Sequence, residues 1–228
     1  MNITDKGLLH VAGVIDLVEA EMLIASGFEF LGFPLVLDHL KEDLSVKDAS
    51  AIVAKLANRS TFFLITYLST ASAIINLCRE LGVNMVQLHG EASVAELQRL
   101  RGATPAMRVI KSLIVRGDNF KDLRDEVARF APLVDAFITD TFDPATGARG
   151  ATGKTHDWDI SRRIVEISPI PVILAGGLNV DNVRAAIATV QPAGVDVHTG
   201  IEAKDGRKSP ELSRRFVSEA RAAFADLA

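Results

Sequence analysis

The strongest constraint on this chain is an alternation that runs from end to end. Short apolar, β-branched runs lie at Leu8 to Val14, Phe28 to Leu35, Thr61 to Tyr67, Met85 to Leu88, Met107 to Ile114, Ala136 to Thr139, Val172 to Ala175 and Gly194 to His198. Helical periodicity separates them, at Leu17 to Ser26, Val46 to Leu56, Thr70 to Leu81, Ser93 to Arg101, Phe120 to Phe130, Trp158 to Ile167, Asp181 to Val190 and Glu211 to Phe224. Strands that are apolar throughout, rather than alternately polar, belong to a parallel sheet covered on its faces. Eight strand–helix units predict a closed (β/α)8 TIM barrel rather than an open doubly wound sheet. No G-x-G-x-x-G follows the first strand, which argues further against a dinucleotide fold.

At 228 residues and 48% hydrophobic composition, the chain suits one barrel domain spanning residues 1–228, with no linker or low-complexity segment to divide it. A net charge of -4 argues against a nucleic-acid surface but permits a local phosphate pocket. The lone cysteine, Cys78, excludes an internal disulfide and reads as a small buried residue of a helix. The start of the chain has no signal-peptide pattern, and no apolar run reaches membrane-spanning length. The expected setting is therefore the cytoplasm, with no membrane partner, and a homodimer is the expected assembly.

In such a barrel, chemistry gathers at the C-terminal strand ends and the loops that follow them. The stretch from Ala136 to Trp158 fits that rule: a short strand delivers Asp140, and a long loop punctuated by Gly147, Gly150 and Gly153 follows, with Lys154 adding a positive charge. Glycines at this density let backbone N–H groups approach an anion. The GATGKT segment resembles the end of a P-loop, but Ala148 stands where the motif requires glycine. A phosphate site is read at the ends of strands seven and eight, from Gly176, Gly177, Thr199 and Gly200, with Asn179 placed to cap the following helix. His10 and His198 fall on strands one and eight, while His39, His89 and His156 fall in the loops after strands two, four and six.

Several motifs together resemble the phosphoribosylanthranilate isomerase family: VQLHG (Val86 to Gly90), VIKS (Val109 to Ser112), the pair Asp140 and Thr141, GATGKTHDW (Gly150 to Trp158), PVILAGGLNVDNV (Pro171 to Val183) and GVDVHTGIE (Gly194 to Glu202). The resemblance implies a sugar-phosphate substrate and an Amadori rearrangement of an aminoaldose to an aminoketose, with Asp140 matching the family's general acid. It requires no cofactor and no metal.

Three departures stand beside it. The family's base is a cysteine on strand one, in a motif like KICGIT; here the segment reads HVAGVI, with Ala12 in its place. The family's arginine after strand two is absent from PLVLDHLKED, which carries Asp38, Glu42 and Asp43. His198 and Thr199 replace two serines after strand eight, and His10 replaces a lysine. His198 and His10 are the substitute bases to consider. His198 shares a strand face with Asp196, and His10 shares one with Ala12 but lies about 6 to 7 Å deeper. Three alternatives follow: an isomerase, epimerase or lyase on another phosphorylated sugar; a barrel that only binds a phosphate ligand; and a divalent metal held by His10, His39 or His198 with Asp140 or Asp196.

Overall fold

The computed structural model describes residues 6–37, 44–141 and 155–227. Its strands are β1 (Leu8–Ala12), β2 (Phe30–Pro34), β3 (Thr61–Thr66), β4 (Met85–Leu88), β5 (Arg108–Val115), β6 (Ala136–Thr141), β7 (Val172–Leu174) and β8 (Gly194–Val197). The helices are α1 (Leu17–Ser26), α2 (Val46–Leu56), α3 (Ala71–Leu81), α4 (Val94–Ala103), α5 (Phe120–Phe130), α6 (Trp158–Ile167), α7 (Val183–Val190) and α8 (Pro210–Ala225). Each strand pairs in parallel with its sequence neighbour, and β1 pairs with β8, from Leu8 opposite Gly194 to Val11 opposite Val197. The expected TIM barrel is the observed fold.

Successive strand residues face opposite sides of the wall. Leu8, Ala12, Phe30, Phe63, Ile65, Met85, Ile110, Ala136, Ile138, Ile173 and Ala175 make one apolar cluster inside the barrel. The alternate residues, among them Leu9, Val11, Leu31, Phe33 and Leu113, pack outward against the helices. Helix starts are fixed locally: Asp16, Ser45, Ser93 and Ser209 each accept a first-turn backbone N–H. Cys78 is buried on α3, and burial pushes its thiol up to about 12.

Some boundaries differ from those expected. Strand one ends at Ala12 rather than Val14, because Gly13 takes a φ of 78° that the extended strand cannot continue. Strand six runs on to Thr141, because β5 pairs with it as far as Val115 opposite Thr141. Asp140 is thus part of the ladder. Helix seven begins at Val183; Asn179 Oδ1 still accepts from the N–H groups of Asp181 at 2.9 Å and Asn182 at 3.2 Å just before it.

Phe63 is fully buried inside the barrel. Phe63→Ala should lower unfolding free energy by about 3–5 kcal/mol, measured by urea denaturation. A loss below about 1 kcal/mol would show that the interior refills the space.

Candidate active site

The inward parity of the strands decides which side chains meet at the C-terminal mouth. On β6 it runs through Ala136 and Ile138 to Asp140, and on β4 through Met85 and Gln87 to His89, just past the strand end. Asp140 is 6% exposed, and its Oδ1 accepts the Thr141 N–H at 2.7 Å. Burial pushes its carboxyl up to about 7, against the opposing pull of that hydrogen bond.

His89 Nε2 lies 3.7 Å from Asp140 Oδ2. Burial first, then the charges of Lys111 and His198, push the imidazole down to about 4. With a carboxyl that favours its proton beside an imidazole that rejects one, the contact is between neutral groups rather than an ion pair. Gln87 Nε2 sits 3.1 Å from His89 Nε2, which suits a donor meeting the unprotonated ring nitrogen.

Asp196 on β8 is the second carboxyl of the mouth. Burial, and then the charge of Asp140, push it up to about 8, while Lys208 pulls the other way. Beside it in register on β1 is His10, fully buried, with the rings of Phe30 and Phe63 at 4.8 and 5.2 Å. Among the described residues neither His10 nitrogen has a hydrogen-bond partner, and burial pushes the ring down to about 3. It points into the barrel interior, below the mouth.

His198 stands higher, immediately after β8. Its ring lies against Gly13, where a Cβ would come within 2.2 Å of Nε2, so glycine is required there by space as well as by its φ. Gly13 follows Ala12, and the imidazole therefore covers the end of strand one. His198 Nε2 is 3.9 Å from Glu202 Oε1, which also accepts from Lys208 Nζ at 2.7 Å. The Lys208 N–H donates to Glu19 Oε2 at 2.9 Å, tying this loop to α1.

The expected phosphate residues come from two touching loops. Gly176 and Gly177 have φ of 96° and 64°. Thr199 and Gly200 open the 3-10 turn Thr199–Ile201, whose first N–H groups have no acceptor within the turn. A Cβ on Gly200 would fall 1.8 Å from Leu178 O, so only glycine allows the two loops this approach. Gly153 and His39 lie outside the described residues. His156 is drawn to the strand end: its Nδ1 is 2.9 Å from Thr141 Oγ1 and its Nε2 2.6 Å from Ser161 Oγ. Among the described residues, no group of three or more His, Cys, Asp or Glu is arranged to hold a metal ion.

The family model described as N-(5'phosphoribosyl)anthranilate (PRA) isomerase matches residues 45–219. N-(5'-phosphoribosyl)anthranilate isomerase 2 of Methanosarcina mazei is 36% identical over 217 residues, covering 95% of each chain. This chain belongs to the phosphoribosylanthranilate isomerase family. The Haloferax volcanii isomerase is also 36% identical, over 94% of this chain and 93% of its own. The Thermotoga maritima isomerase structure superposes with a TM-score of 0.79 at 26% identity, covering 94% of this chain and 98% of that one.

In this phosphoribosylanthranilate isomerase barrel, Asp140 stands at the mouth beside His89, a contact that no local sequence signal indicates. The only signal for that pairing was the shared inward parity of two nonadjacent strands. The same holds for Tyr67. It continues the inward series Phe63 and Ile65, and its ring stacks on His89 with centroids 5.5 Å apart and planes at 16°.

The raised pKa values of Asp140 and Asp196 carry a stability consequence. Below about pH 4 the folded and unfolded chains both hold these protons, and the stabilisation from retaining them is lost as pH rises through about 7 and 8. The double variant Asp140→Asn, Asp196→Asn should therefore gain stability over the parent as pH is raised from about 5 to about 9. Urea unfolding across that range checks it; a pH-independent difference would contradict the assignment.

Proposed function

We propose that this protein is a phosphoribosylanthranilate isomerase, catalysing the Amadori rearrangement of N-(5'-phosphoribosyl)anthranilate in tryptophan biosynthesis, in the cytoplasm. The observation that carries this reading is the buried carboxyl of Asp140, which keeps its proton to about pH 7 at the mouth of a barrel of this family. A relative's structure is described as a complex with reduced 1-(o-carboxyphenylamino)-1-deoxyribulose 5-phosphate, a phosphorylated ligand of matching chemistry. The Thermotoga maritima protein is described as dimeric, which supports a homodimer here.

In this mechanism the phosphate is received by the backbone of Gly176, Gly177, Thr199 and Gly200. Oriented N–H groups suit an anion without a dedicated cation. Asp140 donates its proton to the ribose ring oxygen as the C1–O bond opens. The resulting C1 iminium acidifies the C2 proton, which a base removes to give the enamine; tautomerisation yields the ketose. Asp140 in its neutral form suits this task because burial matches its pKa to neutral pH.

With Ala12 in place of a thiol, His198 is the base. Two observations support it over His10. The His198 ring covers the end of β1 and keeps 28% side-chain exposure, with Glu202 beside it to stabilise the imidazolium formed. His10 is sealed between two phenylalanines, and a ring held at about 3 is too weakly basic to compete at neutral pH.

The direct test follows turnover of phosphoribosylanthranilate generated in situ. Asp140→Asn and His198→Gln should each lower kcat/KM by roughly 10²- to 10⁴-fold, while His10→Gln retains kcat. In the parent, kcat/KM should fall as pH rises through about 7, as Asp140 loses its proton. Unchanged turnover in His198→Gln would remove it as base. No turnover in the parent, with inorganic phosphate still protecting against thermal unfolding, would favour another phosphorylated sugar. Ala12 and the acidic segment after β2 are the features that support that second reading.

A further inference from the structure

The loop between β8 and α8 folds back on itself before it reaches the helix. Gly206 takes a φ of 83°, a left-handed turn that glycine adopts without strain, and the Ala203 N–H donates to Arg207 O at 2.8 Å. Glu202 and Lys208 are thereby set opposite one another as an antiparallel bridge. Their side chains meet across it, with Lys208 Nζ 2.7 Å from Glu202 Oε1.

The same loop is fastened to the one that follows β1. Glu19 on α1 is 3% exposed; its Oε1 accepts the Ile15 N–H at 3.3 Å and its Oε2 the Lys208 N–H at 2.9 Å. One buried carboxylate therefore joins the two loops at the seam where β1 meets β8. Farther out, Arg207 Nη2 pairs with Asp16 Oδ2 at 2.6 Å. The Lys208 side chain is left 2% exposed, and an ammonium so enclosed needs a fixed counter-charge. Glu202 is that counter-charge, and the same Oε1 faces His198 Nε2 at 3.9 Å. This second contact is beyond hydrogen-bond length, so the carboxylate acts on the ring through its field while its bond goes to Lys208. Other charges reach the same corner. On β8 Asp196 feels the pull of Lys208 and the opposing charge of Asp140, and beyond β4 His89 feels the charge of His198. Asp140 itself owes its shift to burial and, against that, to the Thr141 N–H.

We propose that Lys208 is a positioning residue for the base: it ties Glu202 down beyond hydrogen-bond reach of His198, so that the resting imidazole stays unprotonated while a carboxylate stands ready beside it. The inference rests on the isomerase reading above and deepens it. When His198 takes the C2 proton, the bonding pair left on C2 goes to the iminium to form the enamine, and the positive charge gained by the ring faces Glu202. Without Lys208, Glu202 would be released to the ring and would hold a proton on it before the substrate arrived. Without Glu202, the ring would face the Lys208 ammonium alone.

The test follows kcat/KM against pH and, separately from turnover, titrates the His198 imidazole by NMR, its signal assigned with His198→Gln. In Lys208→Met the acid limb of kcat/KM and the His198 midpoint should both rise by about half a pH unit or more. In Glu202→Gln, which keeps the shape of the side chain, both should fall by about as much. The alkaline limb, set by Asp140, should move by less than about 0.2 unit in either variant. Arg207→Gln, which breaks only the outer pair with Asp16, should leave limbs and midpoint where the parent has them. A merely structural Lys208 would lower kcat/KM alike at every pH and leave the midpoint in place. That result would overturn the proposal, as would shifts of the same sign in Lys208→Met and Glu202→Gln. Should Lys208→Met fail to fold, Glu202→Gln decides alone, and an unmoved midpoint there overturns the proposal. Opposite midpoint shifts in a protein that does not turn over phosphoribosylanthranilate would leave the proposal standing and reject the isomerase reading; turnover with limb and midpoint unmoved would do the reverse.

Discussion

Pairing of β1 with β8 closes the sheet, and the position of every mouth residue depends on that closure. Once eight parallel strands form a ring, each has one inward series, and the last inward side chain of each must face the others. Asp140, His89, Tyr67, Asp196 and His198 come from four strands or their immediate extensions, and no two of those strands are linked by a short turn. They meet because the register leaves them nowhere else to point. A one-residue slip of β6 would turn Asp140 outward and bring Thr139 or Thr141 inward instead. The β5–β6 ladder, continuous to Val115 and Thr141, is what opposes such a slip.

The same closure sets the electrostatics. An enclosed mouth disfavours charge, so acids are pushed up and imidazoles down: Asp140 and Asp196 to about 7 and 8, His89 and His10 to about 4 and 3. The result is a set of nearly neutral proton carriers, with formal charge at Lys208 and Glu202 held at the edge in a 2.7 Å pair. Neutrality favours an acid that acts by donation. It also explains why His89, although next to Asp140, does not strip its proton: burial holds the carboxyl up and the imidazole down, so the ring is the weaker base.

The fold was legible because it rests on local signals. Apolar runs, helix caps such as Ser93 and Ser209, and the count of eight units are properties of neighbouring residues. Asp140 was legible too, since a carboxylate at the end of an apolar strand has one natural place in a barrel. The Asp140–His89 contact, the stacking of Tyr67 and the enclosure of His10 by Phe30 and Phe63 were not legible, because each joins separate strands through register. His10 illustrates the loss most clearly. Its sequence position shares a face with Ala12, but only the ring contacts show that this face is already filled by phenylalanine at its level.

These nonlocal contacts also clarify the departures at strand one and strand eight. Replacing a thiol by the methyl of Ala12 leaves space at the end of β1, and Gly13 beside it offers no side chain to occupy that space. The His198 ring fills it from the neighbouring strand, so the vacancy and the added imidazole are two sides of one packing solution. The changes at Ala12 and His198 keep the barrel wall and alter only residues at its C-terminal end. That position is where a closed barrel tolerates change best: a residue at the rim is supported by the register below it and contributes little to the core that holds the ring shut.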